Sequence, residues 1–288
     1  MGQQPAKNCP IGVFVYTFGW FSTGRDEAAR QLLNEAWRSI ENGMIPAKIG
    51  FVFCDRELGE DRESDLFVEL VKDLKIPLFS LSSRAFEPSL RKKDREEWRR
   101  LFHDRVMETL SGQEFVTIVL AGYMLIVSPE MCRQYTMINL HPAEPGGPKG
   151  TWQEVIWELI ARGADSTGVM VHLVTEVLDE GPPITYCTFP LKGERFDPLW
   201  VQMGAKLGFM PLGEIIGEEG EENPLFKEIR RQGVMREVPL LLLSLKALAE
   251  GRVRIEGHRI LDQQGRETAG ACLNSEIDGY LDRGRDGT

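Results

Sequence analysis

The sequence of 288 residues has no long hydrophobic run, and no stretch reaches the roughly 20 consecutive apolar residues that a membrane-spanning helix requires. Its start, MGQQPAKNCP, lacks the apolar core of a signal peptide. Ala6 occupies the position where a myristoylation signal has Ser or Thr. We therefore expect a protein that neither crosses a membrane nor is anchored to one.

Paired cysteines and an excess of positive charge are also missing. The five cysteines are scattered without a CxxC pair, and this odd number is typical of reduced thiols, so we expect a cytoplasmic protein. Lysine and arginine number 34 against 44 acidic residues, a formal net charge of −10. Such a surface repels phosphate backbones, so we do not expect nucleic acid as a partner, and an anionic ligand would need a helix N-terminus or a few arginines.

Short apolar segments alternate with longer amphipathic ones, a pattern typical of strands that cross over through helices into a parallel sheet. It predicts an α/β fold with an open, mostly parallel twisted sheet and helices on both faces. The predicted strands cover residues 13–16, 48–54, 76–81, 115–120, 137–140, 168–175 and 183–190, the last two as a hairpin. The predicted helices cover residues 26–39, 61–74, 87–110, 152–161 and 238–250.

Two segments near the C-terminus carry little pattern. Residues 196–233 are charged and interrupted by glycines, and the acidic run 218–222 is typical of a solvated loop. From residue 263 onward the chain is polar with a low tendency to order. We therefore expect a single domain over residues 10–262, followed by a polar tail over 263–288.

A glycine-containing segment, TFGWFSTGRDEAARQLL, follows the first predicted strand. Gly19 and Gly24 have the spacing of a phosphate-binding loop, but Arg-Asp follows where a nucleotide-binding loop needs Lys and then Ser or Thr. The GxGxxG pattern of a dinucleotide site is also absent. Backbone N–H groups at a helix start, with Ser22, Thr23 and Arg25, could still hold one phosphate or carboxylate. An ordinary strand-to-helix turn is the competing interpretation.

The sequence INLHP places two polar residues at the end of an apolar strand. Asn139 and His141 are two residues apart, so their side chains project to the same side, at the edge where open α/β sheets bind ligands. Pro142 ends regular pairing. Downstream, the segment GVMVHLVTEVLDEGPPI contributes His172 within an apolar strand and Asp179 before a glycine. Taken singly, His172 is typical of a core histidine and Asp179 of a turn.

Together, the motifs AGYM, INLHP, KG and GVMVHLVTEVLDEGPPI resemble those of the folate-dependent formyltransferases, and most closely the branch that formylates glycinamide ribonucleotide in purine biosynthesis. The likeness is specific over residues 116–192, weaker over 13–110, and resumes at 238–251. It implies the family's Rossmann-like fold. It also implies that Asn139, His141 and Asp179 are the catalytic residues of the domain over residues 10–262. His172 would contact these residues and not the substrates.

The chemistry implied by this resemblance explains the residue types. Transfer of a formyl group from 10-formyltetrahydrofolate to an amine passes through a tetrahedral carbon whose oxygen becomes negative, and a preplaced donor such as the Asn139 amide is worth ~10²–10³ in rate. A protonated His141, held by a nearby carboxylate, would be a second donor. Asp179 would supply that charge and accept the proton of the amine, a role worth ~10²–10⁴.

The resemblance also assigns the two substrates to different segments. The folate would bind the backbone and apolar side chains of Tyr123, Met124, Leu125, Ile126 and Val127, where Leu125 replaces an arginine of the family. The amine would bind the glycine-containing segment and one residue of the charged helix: Gly19, Ser22, Thr23, Gly24, Arg25 and Arg95.

This second set departs from the family pattern. The glycine segment matches only loosely, Ala143-Glu144-Pro145 follows INLHP where the family has Ser-Leu-Leu-Pro, and Val234 replaces a glutamate. We therefore expect intact formyl-transfer residues beside an altered acceptor pocket.

Several functions remain open at this point. Glycinamide ribonucleotide is the leading acceptor and an amino sugar the second. A formyltetrahydrofolate hydrolase would keep the same trio and use water, and a degenerate relative would bind folate without turnover. From a different class, His141, His172 and Asp179 are also the residue types of a two-histidine, one-carboxylate metal-dependent hydrolase or oxygenase. On the formyltransferase interpretation we expect no metal, and the sequence leaves room for a homodimer.

Overall fold

The computed structural model describes residues 15–285. Its strands are β1 Tyr16–Ser22, β2 Ala47–Cys54, β3 Leu78–Ser80, β4 Thr117–Leu120, β5 Met137–His141, β6 Ser166–Leu173, β7 Pro183–Pro190, β8 Val253–Glu256, β9 Arg259–Asp262 and β10 Ala271–Cys272. Its α-helices are α1 Glu27–Glu41, α2 Arg62–Asp73, α3 Pro88–Lys93, α4 Arg95–Thr109, α5 Pro129–Gln134, α6 Trp152–Arg162, α7 Asp197–Leu207, α8 Leu212–Glu219, α9 Pro224–Ala249 and α10 Asn274–Arg285. A short 3₁₀ turn, Gly220–Glu222, joins α8 to α9.

Eight of these strands form one sheet in the order β10-β7-β6-β5-β4-β1-β2-β3. The strands from β3 to β5 in that order are all parallel, whereas β6 is antiparallel to both β5 and β7. β8 and β9 form a separate antiparallel pair. The predicted α/β fold with an open, mostly parallel Rossmann-like sheet is therefore confirmed. Within residues 15–285, no helix is both long and apolar enough to cross a membrane.

Helices cover both faces of the sheet, and each face has its own apolar core. On one face α1, α2 and α9 bury side chains such as Leu33, Phe67 and Leu241. On the other face α4 and α5 bury Phe102 and Met131. Burial of each such side chain stabilises the fold by roughly 1.5–3 kcal/mol relative to full exposure. The strands that carry the polar motifs are therefore held between two packed apolar layers.

The first strand lies later in the chain than predicted. β1 begins at Tyr16 and runs through Gly19, which pairs with Phe51, while residues 13 and 14 lie outside the described part of the chain. A Cβ at Gly19 would lie 2.6 Å from the Phe51 ring, so this glycine serves strand packing and is not in a loop. The aromatic residues around it favour a strand and outweigh the single glycine.

The helices and the C-terminus also differ from the prediction. The helix expected over 87–110 is divided at Asp94, whose side chain caps α4. The helix expected to begin at 238 begins at Pro224 and runs through Pro239, and the acidic run 218–222 lies in α8 and the 3₁₀ turn instead of a loop. The polar tail expected from residue 263 contains β10 and α10, because Leu273 and Ile277 are buried against the sheet.

Candidate active site

Strands β5 and β6 bring three polar side chains to one place at the carboxyl end of the parallel strands. Asn139 lies directly opposite His172 in the antiparallel pairing, so the two side chains are neighbours on one face. His141, two residues further along β5, projects to the same side. The His141 and His172 rings meet edge to face with centroids 6.0 Å apart.

His172 fixes the orientation of the Asn139 amide. Its Nδ1 donates to the carbonyl oxygen of Leu173 at 3.0 Å, which leaves Nε2 as an acceptor. The Asn139 amide donates to that Nε2 at 3.3 Å. Burial lowers the pKa of His172 below its ordinary value, so the ring stays neutral and keeps its accepting nitrogen. One N–H of the Asn139 amide is then left for a ligand.

His141 is held by the loop that follows it. Its Nε2 lies 2.9 Å from the carbonyl oxygen of Pro148, which can only accept, so Nε2 carries a hydrogen. Its Nδ1 faces Asp179, with 3.8 Å between Nδ1 and Oδ2. The other oxygen of Asp179 lies 3.7 Å from Nε2 of His172. The carboxylate therefore stands between two imidazoles, within ion-pair range of His141 when that ring is protonated.

The backbone around Asp179 is unusual, because Asp179 has a φ of +54° in the left-handed region. Asp and Asn tolerate this region better than most residues. Two residues later the chain passes so close to β6 that a Cβ on Gly181 would lie 1.6 Å from the Leu173 carbonyl oxygen. Glycine at 181 is therefore required for the turn that presents Asp179 to His141.

An apolar cavity of about 390 Å³ lies on one side of this group. All five residues predicted to bind folate line it: Tyr123, Met124, Leu125, Ile126 and Val127. The segment after β6 forms the opposite wall through Val174 and Leu178. The Met124 and Ile126 side chains are about half exposed, so apolar surface is available to a ligand. The Tyr123 hydroxyl is anchored on the Nε2 of buried His103 at 3.2 Å.

A second, more polar cavity of about 520 Å³ lies on the other side. Asn139 and Asp179 line both cavities, and His141 lines the polar one. The start of α1 contributes Arg25 and Asp26 to its wall, and two helices add Trp152, Arg230 and Glu237. The two cavities therefore meet at the amide and carboxylate predicted from the sequence, and the His141 imidazole lies on the polar side.

The residues predicted to bind the acceptor are mostly elsewhere. Gly19 is inside β1, and Arg95 begins α4, outside the linings of both cavities. The Ser22 hydroxyl is buried and accepts from the N–H of Gly24 at 3.1 Å. Thr23 is buried and its hydroxyl accepts from the N–H of Met124. Of the six residues, only Arg25 lines the polar cavity.

Arg230 and Glu237 were not identified from the sequence. They lie seven residues apart on α9, which is two helical turns, so they share one face and form an ion pair at 2.5 Å. The Arg230 guanidinium also stacks 4.5 Å from the centre of the Trp152 ring. This pair was missed because the helix was predicted to start at residue 238, after both residues. A helix predicted from residue 224 would have placed them on one face.

The metal alternative receives no support from the geometry. Among residues 15–285 there is no group of three His, Cys, Asp or Glu side chains spaced to hold a metal ion.

Comparison with known proteins defines the family. The model of the formyl transferase family matches residues 30–193, more than half of the chain, and the chain belongs to this family.

Among curated proteins, phosphoribosylglycinamide formyltransferase of Schizosaccharomyces pombe is 40% identical over 81 residues, which cover 26% of this chain and 39% of that protein. The enzyme of the same name from Bacillus subtilis is 31% identical over 108 residues, which cover 37% and 52%. The chain thus matches these relatives over about half of their length or less.

Solved structures share the fold. The phosphoribosylglycinamide formyltransferase of Coxiella burnetii, in complex with CHES, superposes with a TM-score of 0.63 at 18% identity over 90% of this chain and 99% of that one. A formyltetrahydrofolate deformylase of Pseudomonas syringae superposes with a TM-score of 0.57 at 21% identity over 87% and 66%. At these identities the likeness concerns the fold alone.

Proposed function

We propose that the protein transfers a formyl group from 10-formyltetrahydrofolate to a primary amine, with Asn139, His141 and Asp179 as its catalytic residues. The observation that carries this proposal is that an apolar and a polar cavity share Asn139 and Asp179 in their linings, with His141 beside them in the polar cavity. A donor bound in one cavity and an acceptor in the other would bring their reacting atoms together between the amide and the carboxylate, which removes the entropic cost of a bimolecular encounter.

The apolar cavity fits the donor. Its volume lies within the ~300–1,000 Å³ typical of small-molecule sites, and such sites combine apolar walls with a few convergent polar groups. Met124 and Ile126 on one wall and Leu178 on the other offer apolar surface to the flat pterin ring. The family to which the chain belongs uses this kind of one-carbon donor, so the cavity and the family agree.

The reaction proposed for these residues is an addition followed by an elimination. The amine nitrogen bonds to the formyl carbon, and the carbonyl oxygen becomes negative. The free N–H of Asn139 and the Nδ1–H of protonated His141 stabilise that oxygen. The bond between carbon and the donor nitrogen then breaks, and the formylated amine and tetrahydrofolate leave.

Proton movement in this scheme is assigned to Asp179. Its carboxylate takes the proton that the amine loses on attack, directly or through water. A proton is returned to the departing donor nitrogen, so formyl transfer counted from the neutral amine neither consumes nor releases one. His172 accepts a hydrogen bond from the Asn139 amide, and we assign it an orienting role.

Glycinamide ribonucleotide is the first acceptor to examine, because the curated relatives carry the name phosphoribosylglycinamide formyltransferase. An amino sugar is the second. Hydrolysis is the competing reaction, since solved deformylases share the fold. The large polar cavity beside Asp179 favours an amine over water, which needs no such space.

A formyl-transfer assay tests the proposal. The purified protein is incubated with 10-formyltetrahydrofolate and each amine, and both tetrahydrofolate and the formylated amine are quantified. Equal amounts of both products support transfer. Tetrahydrofolate released with free formate, unchanged by any amine, would instead identify a hydrolase.

A further inference from the structure

The polar cavity has an unusual balance of charge for a site that would receive a phosphorylated substrate. Three carboxylates line it, those of Asp26, Asp179 and Glu237, against two guanidinium groups, those of Arg25 and Arg230. His141 also lines the cavity and adds a positive charge only when its ring is protonated, so a phosphate of charge near −2 would enter a region with no surplus of positive groups. Like charges brought together in a partly desolvated site are strongly unfavourable.

Both arginines in this wall are already paired with carboxylates. Arg25 Nε lies 3.3 Å from Oδ2 of Asp26, and Arg230 Nη1 lies 2.5 Å from Oε1 of Glu237. Arg230 is further fixed by its stacking on Trp152. The remaining N–H groups of either guanidinium could still reach a phosphate, but the phosphate would then lie beside a carboxylate that is already paired with the same arginine.

The start of α1, where backbone N–H groups could otherwise hold an anion, is also occupied. The Asp26 carboxylate caps the helix by accepting from the N–H of Ala29 at 2.9 Å, and Glu27 adds a second acid in the first turn. The hydroxyls of Ser22 and Thr23 are buried and already accept backbone hydrogen bonds. The Asp26 carboxylate thus already occupies the position at the helix N-terminus where the helix dipole would favour a bound anion.

We infer that the acceptor is a small hydroxylated primary amine without a phosphate group, and that Asp26 and Glu237 determine this specificity. This inference rests on the proposed function. The acceptor enters as an ammonium ion, which the three carboxylates attract, and its hydroxyls donate to Asp26 and Glu237. The ammonium gives up one proton to solvent before attack, and Asp179 takes the second as the bond to the formyl carbon forms.

Two matched pairs of acceptors test this inference. Glycinamide ribonucleotide is compared with its nucleoside, and glucosamine 6-phosphate with glucosamine, so that each pair differs only in the phosphate. We expect the phosphate-free member of each pair to have the higher kcat/KM, by on the order of a hundredfold. A phosphorylated member that is tenfold better in either pair overturns the inference but leaves the formyl-transfer proposal intact.

A charge-neutralising variant tests the residues themselves. Glu237→Gln releases Arg230 from its partner, so the discrimination against the phosphorylated member should fall at least tenfold. Glu256→Gln in β8, which removes an exposed carboxylate outside the cavity, is the control and should leave the discrimination unchanged. An unchanged ratio in Glu237→Gln, with its thermal stability retained, would contradict the assignment of Glu237.

Direct binding keeps the inference testable if no amine is formylated. Ribose 5-phosphate and ribose are titrated calorimetrically into the parent protein. Binding of ribose 5-phosphate with a Kd below 1 mM overturns the inference, and the absence of binding up to 10 mM supports it. Failure of formyl transfer with every amine refutes the proposed function separately, because it is read from the absence of any formylated amine and not from sugar binding.

Discussion

Asp179→Asn is the most direct perturbation of the candidate active site. The amide has the shape of the carboxylate and is equally tolerant of the left-handed φ of +54°, so the turn should be preserved. What is lost is the negative charge 3.8 Å from Nδ1 of His141, together with the group proposed to accept the proton of the amine. With an effective dielectric constant of about 20, a charge pair at this separation is worth about 4 kcal/mol.

The expected loss follows from this change. Removal of a general base costs ~10²–10⁴ in rate, which corresponds to about 3–5 kcal/mol in the activation free energy. We therefore expect kcat for formyl transfer to fall at least a hundredfold, while the melting temperature changes by only a few degrees.

Glu180→Gln is the matched control for this experiment. It removes the same charge one residue along the same turn, where the carboxylate forms an exposed ion pair with Lys149. Such pairs contribute about 1 kcal/mol or less, so this variant should remain close to the parent. An Asp179→Asn protein within tenfold of parental activity, and with its fold intact, would refute the role of Asp179.

Four further outcomes are expected. His172→Ala removes the hydrogen-bond acceptor that orients the Asn139 amide. Steady-state kinetics should show kcat lowered about tenfold or more with little change in KM for the amine, and an unchanged kcat would refute the orienting role. Gly181→Ala forces a Cβ against the Leu173 carbonyl, so we expect both a lower melting temperature and lower activity, and parental values of both would contradict the packing argument. Burial lowers the pKa of His103 to about 4, so on acidification the unfolded chain binds a proton at this residue before the folded chain does. The free energy of unfolding should therefore fall by up to about 3 kcal/mol as pH drops from about 6.5 to 4. Urea unfolding at several pH values measures this, and a His103→Gln variant should lose less stability in acid than the parent. Elemental analysis after gentle purification should find less than a tenth of one metal ion per chain, whereas one ion per chain would revive the metal-dependent alternative.

The trio could be anticipated from the sequence because its geometry follows from local rules. Asn139 and His141 are two residues apart at the end of a buried strand, and the alternation of side chains in a strand is sufficient to put them on one side. The position of Asp179 could not be predicted from local rules alone, because its approach to His141 depends on the β6–β7 hairpin and on the close backbone contact at Gly181. The family resemblance supplied that contact. The catalytic roles of the three residues remain predictions.

The acceptor side could not be anticipated in the same way, because it depends on contacts between distant segments. The hydroxyls of Ser22 and Thr23 look available in the sequence, but the structure turns them inward onto backbone groups. Arg230 and Glu237 reach the cavity only because α9 continues through Pro239, a residue that usually marks a helix start or break. The buried faces around Leu225 and Phe226 stabilise those extra turns and override this preference.

The hydrogen bond from the N–H of Met124 to the Thr23 hydroxyl joins the segment beside the polar cavity to the wall of the apolar one. Any attempt to engineer a phosphate-binding sequence into residues 19–26 would therefore also loosen the wall proposed to hold the pterin. New acceptor preferences gained by changing this segment would come with weaker affinity for the one-carbon donor, whereas changes on α9 carry no such penalty. If the proposed function holds, substitutions on α9 are accordingly a better route to new acceptors than substitutions in the first loop.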